Sequence, residues 1–173
     1  MHPGALRALE FDRIVSVVTG LAVTPIGAAR LSALTPLTEP AAVLAAQRAT
    51  TEGTRYLADH SGFPLRAPAD LLTTLDALTI SGRALEPLRL LGLADYLESV
   101  ERTRQSIDRI GIGLPLLRSL VASVASFARE VADVRRVIEP GGDVSDHASP
   151  ALAHIRERLR RVKERRRSAL DAY

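Results

Sequence analysis

The chain has 173 residues, of which 46% are hydrophobic and 25% are charged, as in a single compact domain rather than a disordered chain. It contains no cysteine, which excludes disulfides, thiolate catalysis and cysteine-bound zinc. The longest stretch without a charged residue, 14–29, contains glycine and proline and is shorter than the roughly 20 apolar residues of a membrane span. No secretory signal is visible, so we expect a cytoplasmic protein.

Positive charge is concentrated towards the C-terminus. Residues 151–173 contain eight basic and three acidic side chains, a net charge of +5, whereas residues 1–150 carry a net charge of −2. A local excess of this kind indicates a separate basic segment, not a generally basic surface.

Apolar residues recur at spacings of three and four along most of the chain, which predicts an all-α fold. We expect an irregular bundle of about 6–8 helices, because period-two alternation is scarce. The helices are expected near 6–20, 25–34, 39–58, 71–78, 87–110, 116–137 (broken once) and from 150 onwards. A loop is expected over 59–67, which contains Gly62 and Pro64.

Two threonines are predicted to cap helices. Thr24 precedes Pro25, the arrangement of an N-cap followed by a first-turn proline, and Thr38 precedes Glu39 and Pro40 in a similar way.

A turn precedes the last helix. The sequence between Ile138 and Val144 contains Pro140 and two glycines, so we expect a small β-hairpin near 137–145, although Pro140 weakens it. Ser149 and Pro150 then supply an N-cap and a first-turn proline for the next helix.

The last helix carries a heptad-like apolar line formed by Leu152, Ile155, Leu159 and Val162. We expect the first three of these to pack on the helical body. Arg166 interrupts the line, and no glycine or proline ends the helix before the final residue. We therefore divide the chain into a helical core over 1–149 and the start of a long basic helix over 150–173, and expect a fragment of a longer protein.

No catalytic, cofactor-binding or metal-binding residue is predicted. The sequence lacks a phosphate-binding loop of the G-x-x-x-x-G-K-S/T type, a G-x-S-x-G elbow and an H-E-x-x-H pair. His147 and His154, with Asp143 and Asp146 nearby, could be imagined as a metal site, but they lack the i, i+4 pairing of a helical site. Turn and capping roles explain these residues better.

The basic helix is the candidate nucleic-acid interface, because rows of arginine attract phosphate backbones electrostatically. The candidate residues are the basic side chains beside the apolar line: Arg156, Arg160, Arg161, Lys163, Arg165 and Arg167. The alternative is the solvated face of a coiled-coil arm, with Glu157 and Arg161 as an ordinary i, i+4 pair. Charge alone does not decide between these interpretations.

Four segments together resemble the N-terminal region of type-2 MutS proteins, the bacterial MutS paralogues without mismatch-reading domains. LEFDRI at 9–14 resembles the family's LEFDKI, and TPIG at 24–27 followed by Arg30 and Leu31 resembles TPLGKERL. GFPL at 62–65 falls where the family has a glycine-rich loop. GDVSDHASPAL at 142–152 is similar to GEVLDSASPEL. The chain departs from the family at 81–87, where the usual GGVLSPEEL is replaced by SGRALEP.

The resemblance implies the first part of the MutS core, or lever, domain, with the last helix climbing towards a DNA-gripping clamp. The whole protein would then be a homodimeric ATPase that uses ATP and magnesium and often carries an Smr nuclease domain. The family is associated with branched DNA, suppression of recombination and, in some bacteria, rescue of stalled ribosomes. Neither ATPase nor nuclease motifs occur in this segment. The alternative is a stand-alone helical adaptor whose basic arm pairs with a partner protein.

Overall fold

The computed structural model describes residues 9–110 and 113–171. These residues form α-helices, one 3₁₀ turn and no β-strand, which confirms the all-α prediction. Eight α-helices lie within these ranges: α1 (Phe11–Gly20), α2 (Pro25–Ser32), α3 (Pro40–Asp59), α4 (Leu71–Leu78), α5 (Pro87–Arg109), α6 (Pro115–Ala122), α7 (Ala128–Val137) and α8 (Pro150–Asp171). The predicted break within 116–137 separates α6 from α7.

Helix α1 begins later than the periodicity predicted. Glu10 has a positive φ of 50°, a left-handed conformation that a helix cannot continue through, so Leu9 lies in a turn before α1. Leu6, which was also assigned to this helix, lies outside the described residues. Helix α2 begins as predicted, because the Thr24 hydroxyl accepts a hydrogen bond of 3.0 Å from the Gly27 amide.

The predicted cap of α3 is wrong by one residue. The carboxylate of Glu39, not the hydroxyl of Thr38, accepts hydrogen bonds from the amides of Ala41 (3.1 Å) and Ala42 (2.6 Å). Pro40 occupies the first helical position. A carboxylate satisfies two amides and also favours the positive end of the helix dipole, which explains why Glu39 takes this position.

Helix α5 is the centre of the bundle. Helices α4, α6 and α7 pack against it, and α3 packs against α6. A core cluster forms where α3, α5 and α6 meet, and its buried members are Tyr56, Ile107, Leu114 and Val121. The Phe63 ring stacks on Tyr56 at a centroid distance of 4.3 Å, which brings the 60–70 loop into this core.

Buried polar groups fix two further segments. The Tyr56 hydroxyl shares a hydrogen bond of 2.8 Å with Ser106 of α5. The carboxylate of Glu52 is buried in α3 and accepts hydrogen bonds from the first-turn amides of Leu116 (2.8 Å) and Leu117 (3.0 Å). Glu52 therefore caps α6 from a different helix, which fixes the direction in which α6 leaves the core.

The predicted hairpin is reduced to a single antiparallel bridge between Ile138 and Val144. Its first side cannot extend as a strand because α7 continues as far as Val137. Gly142 is required in the turn, because its φ is +87° and an added Cβ would lie 2.8 Å from atoms of the Leu88 side chain on α5. The turn is therefore seated against the start of α5.

Among residues 9–110 and 113–171, no helix combines the length and the hydrophobicity needed to cross a bilayer.

Two leucines at the ends of α6 provide a test of this core. Leu114 is 3% exposed and Leu120 is 63% exposed. We expect Leu114→Ala to lower the free energy of unfolding by about 2–5 kcal/mol, because it leaves a cavity beside Tyr56 and Ile107. The matched control Leu120→Ala should change it by no more than about 0.5 kcal/mol. Urea denaturation followed by circular dichroism measures both values, and equal midpoints would contradict the assignment of the core.

Candidate nucleic-acid interface

The basic helix α8 leaves the body through the turn that follows Ile138. The amide of Ser145 donates a hydrogen bond of 2.8 Å to the Val137 carbonyl, and the buried Ser145 hydroxyl accepts one from His147. The 3₁₀ turn Asp146–Ala148 then packs against both α7 and α8. Ser149 caps α8 as predicted, because its hydroxyl accepts a hydrogen bond of 3.1 Å from the Leu152 amide.

Arg156 fastens α8 to this turn. Its Nη1 atom donates a hydrogen bond of 2.6 Å to the Val144 carbonyl and another of 2.6 Å to Oδ1 of Asp146. We call this group of Arg156, Asp146 and the Val144 carbonyl the clasp. The clasp joins the second turn of the helix to the segment before it, so it fixes the direction in which α8 leaves the body.

The clasp depends on an ionised aspartate. The hydrogen bond from Arg156 holds the pKa of Asp146 below its ordinary value, and the nearby Arg160 guanidinium, 3.5 Å from Oδ2, acts in the same direction. Asp146 is therefore negatively charged throughout the neutral range. Arg156 and Arg160 both contribute to this local structure.

A second acidic residue pairs with cations along the helix. Glu157 accepts a hydrogen bond of 2.8 Å from Nε of Arg161, and its other oxygen lies 3.3 Å from Nη2 of Arg160. The hydrogen bond from Arg161 is the main reason that the pKa of Glu157 is lowered. Arg161 thus forms the i, i+4 pair that the coiled-coil alternative required.

The six predicted interface residues fall into two groups. Arg156, Arg160 and Arg161 have carboxylate partners, as just described. Within residues 9–110 and 113–171, no salt bridge is described for the other three, Lys163, Arg165 and Arg167, which are exposed. Nε of Arg165 lies 3.4 Å from the Arg161 carbonyl.

Arg158 and Arg166 are also exposed and have no salt bridge to a described carboxylate, although they were not among the six predicted residues. A sequence signal existed for them: neither has an acidic residue three or four positions away. Lys163 and Arg165 share this property, whereas Arg160 and Arg161 follow Glu157 at these spacings and Arg167 follows Glu164. The number of basic side chains that a ligand can pair with is therefore best estimated by leaving out those with an acidic residue three or four positions away.

The expected packing of the apolar line on the body is wrong for two of its three residues. Leu152 is half-buried, but Ile155 is 61% exposed and Leu159 is 50% exposed. The 3₁₀ turn Asp146–Ala148 covers only the beginning of α8, so residues beyond Arg156 extend past the surface that could cover them. The clasp, a polar interaction, fixes the base of the helix.

The histidines and aspartates near the turn are not brought together as a group of metal ligands. Asp146 is engaged by Arg156, and no group of three or more metal-ligating side chains is found in the part of the chain that the structure describes. Asp143 lies in the turn as predicted, where its carbonyl accepts a hydrogen bond from the Glu139 amide. The capping role predicted for Asp146 is wrong, because the serines Ser145 and Ser149 cap the two helical segments.

A first prediction concerns the apolar line. Because half of the Leu159 side chain is exposed, Leu159→Ala should change the free energy of unfolding by no more than about 0.5 kcal/mol, far less than a buried leucine. Urea denaturation of this variant beside Leu114→Ala measures the difference on one scale. A loss of several kcal/mol for Leu159→Ala would show that the body covers the line after all.

A second prediction concerns the clasp. Asp146→Ala should widen the range of orientations of α8, because Arg156 keeps only the Val144 carbonyl as an acceptor. The chain has no cysteine, so spin labels can be placed specifically at Ser119→Cys and Ser168→Cys, and electron paramagnetic resonance gives their distance distribution. The control Asp143→Ala changes an aspartate of the same turn for which no salt bridge is described, and it should leave the distribution unchanged.

The same labels test the pH dependence of the clasp. Because the pKa of Asp146 in the folded protein is lowered, the contribution of the clasp is complete above the ordinary aspartate pKa of about 4 and is lost as the pH falls through the lower folded value. The distribution should stay constant from pH 8 to pH 5 and widen only in stronger acid. Widening near pH 6 would contradict an aspartate-based clasp.

Comparison with known proteins identifies the family. No family model matches the chain, but curated relatives match it over nearly its whole length. The protein named endonuclease MutS2 from Symbiobacterium thermophilum is 31% identical over 173 residues, which is 100% of this chain and 22% of the relative. Proteins of the same name from Bacillus velezensis (26% identity, 99% of this chain, 22% of the relative) and a Thermotoga species (30%, 96% and 21%) are also similar. The chain thus spans about a fifth of the length of the relatives it matches, and its similarity to MutS2 proteins over nearly its whole length confirms the resemblance that its motifs predicted.

Proposed function

We propose that this chain is the core, or lever, segment of a MutS2 protein, and that it connects a DNA-gripping clamp to an ATPase domain. The observation that carries this proposal is that α8, a helix of 22 residues and about 33 Å, packs against the described part of the body at its base, through the 3₁₀ turn. A rigid helix held at its base transmits a displacement of its far end to the clasp. The turn 138–146 then passes that displacement to α5 and α7, against which the segment packs.

We further propose that the whole protein is a DNA-binding ATPase and endonuclease. The name of the relatives, endonuclease MutS2, and the motif resemblance support this proposal. In this proposal ATP and magnesium bind outside this segment, which supplies no catalytic residue. Suppression of recombination through branched DNA, or ribosome rescue, is the biological role, carried out by a cytoplasmic homodimer.

Within the segment itself, we propose that α8 binds phosphate backbones without sequence preference. Four exposed cations of the helix have no acidic residue three or four positions away: Arg158, Lys163, Arg165 and Arg166. A phosphate can approach them without first displacing an ion pair. Arg156, Arg160 and Arg161 contribute less, because their carboxylate partners neutralise them locally.

Salt dependence tests this proposal. If about three phosphates are neutralised, the affinity for a labelled four-way DNA junction should fall about 40-fold between ~50 and ~200 mM salt. Replacing Arg158, Lys163 and Arg165 with glutamate should weaken the binding strongly, because it reverses three of the four cations that have no acidic neighbour. Fluorescence anisotropy of the labelled junction measures both effects.

A matched control separates this helix from net charge. Replacing Arg30, Arg48 and Arg129 with glutamate changes the charge of the protein by the same amount, but these exposed residues lie on α2, α3 and α7. The control should retain most of the binding. If both triple variants lose binding equally, or if binding does not change with salt, then α8 is not the interface.

A further inference from the structure

The turn before α8 is cross-linked to the end of α7 by backbone hydrogen bonds. The Ser145 amide donates to the Val137 carbonyl at 2.8 Å, and within the turn the Glu139 amide donates to the Asp143 carbonyl at 2.8 Å. An isolated antiparallel bridge joins the two sides of the same turn. Because its two sides are bonded to each other and to the last residue of α7, the turn continues α7 without a loose joint.

The clasp extends this rigid arrangement to α8. Arg156 donates to the Val144 carbonyl at 2.6 Å, so the second turn of α8 is fastened to the same residue that closes the bridge. The 3₁₀ turn Asp146–Ala148 packs against both α7 and α8. Helix α7, the turn and α8 are therefore held together as one body, which we call the α7–α8 unit (residues 128–171).

The segment before α7 lacks such cross-links. It spans 123–127 and joins α6 to α7. The Val124 amide still donates to the Val121 carbonyl at 3.1 Å, but no hydrogen bond of the Ala125 or Ser126 amide is described within residues 9–110 and 113–171. Hinges are a few loop residues that can absorb changes in φ and ψ, and unbonded backbone does so at the lowest cost. The hydrogen bonds thus favour a joint before α7 over one at the base of α8.

Helix α5 is the surface on which the α7–α8 unit rests. At one end, the turn lies against the start of α5, where a Cβ on Gly142 would come within 2.8 Å of the Leu88 side chain. At the other end, a cavity of about 450 Å³ lies between the two helices and is lined by Leu97 of α5 and by Phe127 and Val131. Because side chains do not fill this space, apolar packing alone does not fix α7 on α5.

One side chain joins α7 to α5 beside this cavity. The Arg135 guanidinium binds Asp95 and, at 3.1 Å, Glu98, which lie about one turn apart on α5. The neighbouring Arg136 pairs instead with Asp133 of α7 itself, at 3.2 Å. Among the salt bridges described for residues 9–110 and 113–171, those of Arg135 are the ones that connect the α7–α8 unit to the rest of the chain. They are partly exposed, so they are weak enough to be released.

We propose that Arg135 is a latch that holds the α7–α8 unit on α5, and that the unit pivots about Ala125 and Ser126 when the latch releases Asp95 and Glu98. A displacement of the far end of α8 is then carried by the whole unit and not by bending at the clasp. This inference rests on the proposed lever function for its purpose, whereas the hinge and the latch can be measured on this chain by itself.

Three pairs of spin labels distinguish movement of the unit from bending within it. Thr50→Cys on α3 paired with Glu130→Cys on α7, or with Ser168→Cys on α8, spans the hinge, whereas Glu130→Cys with Ser168→Cys lies within the unit. In electron paramagnetic resonance, Arg135→Gln should shift and widen the two distance distributions that span the hinge and leave the third unchanged. The matched control Arg136→Gln removes the same charge and an ion pair internal to α7, and it should leave all three unchanged.

Removing the carboxylates tests the latch from the other side. Asp95→Asn with Glu98→Gln leaves the α7–α8 unit unaltered and should give the distributions of Arg135→Gln. All three substitutions together should change nothing more, because they break one shared interaction. Circular dichroism should show equal helicity, since these side chains are partly exposed. Widening of the distribution between labels at Glu130 and Ser168 would place the bending at the clasp and overturn the inference, as would unchanged distributions across the hinge.

Failure of the lever function would look different. In the whole protein, Arg135→Gln should change the response of ATP hydrolysis to branched DNA, whereas Arg136→Gln should not. Distances that shift across the hinge while ATP hydrolysis responds as in the wild type would count against the lever function and would still support the hinge and the latch.

Discussion

Helix α5 is the element on which the rest of the structure depends, and two of its serines, the buried Ser99 and the half-buried Ser106, bind neighbouring segments through hydrogen bonds. The fully buried Ser99 hydroxyl accepts a hydrogen bond of 2.9 Å from the Arg66 amide and lies within hydrogen-bonding distance of the Arg66 and Tyr96 carbonyls. This interaction attaches the 60–70 loop to α5 through the backbone of Arg66. Ser106 attaches α3 in a similar way through the Tyr56 hydroxyl.

Ion pairs are also found at the surface of α5, both to α7 and along α5 itself. The guanidinium of Arg135 on α7 bridges Asp95 and Glu98, and Arg104 bridges Glu101 and Asp108 along α5 itself. The hydrogen bonds from Arg104 lower the pKa of Glu101 to about 2. Because these side chains are partly exposed, each pair contributes only modestly to the free energy of unfolding. The pairs made by Arg135 join α7 to α5, and α7 leads directly to the turn that supports α8.

The helices and several of their starting points could be predicted because each depends on neighbouring residues. Thr24 with Pro25 and Ser149 with Pro150 are local signals, and the structure confirms both caps. At the start of α3 it was harder to predict that Glu39, and not Thr38, would cap the helix, because either side chain could reach the free amides. The capping of α6 by Glu52 could not be predicted, since the two are more than sixty residues apart in the chain.

The exposure of the apolar line on α8 could not be predicted from its spacing. A line such as Ile155, Leu159 and Val162 looks the same in sequence whether it faces the protein's own core or a partner. What decides between these is how far the body extends along the helix, which is a tertiary property. The position of Arg156, ten residues after Asp146, would have indicated the clasp only to someone who already knew that the turn 146–148 folds against α8.

The pairing of charges along α8 separates its cations into two groups. Glu157 engages Arg160 and Arg161 on the side of the helix away from the apolar line, so these two cations already have a carboxylate partner. Arg158, Lys163 and Arg165 lie beside the apolar line and have no acidic residue three or four positions away. The cations of α8 are therefore not equivalent, because the effect of reversing one of them depends on whether a neighbouring carboxylate already neutralises it.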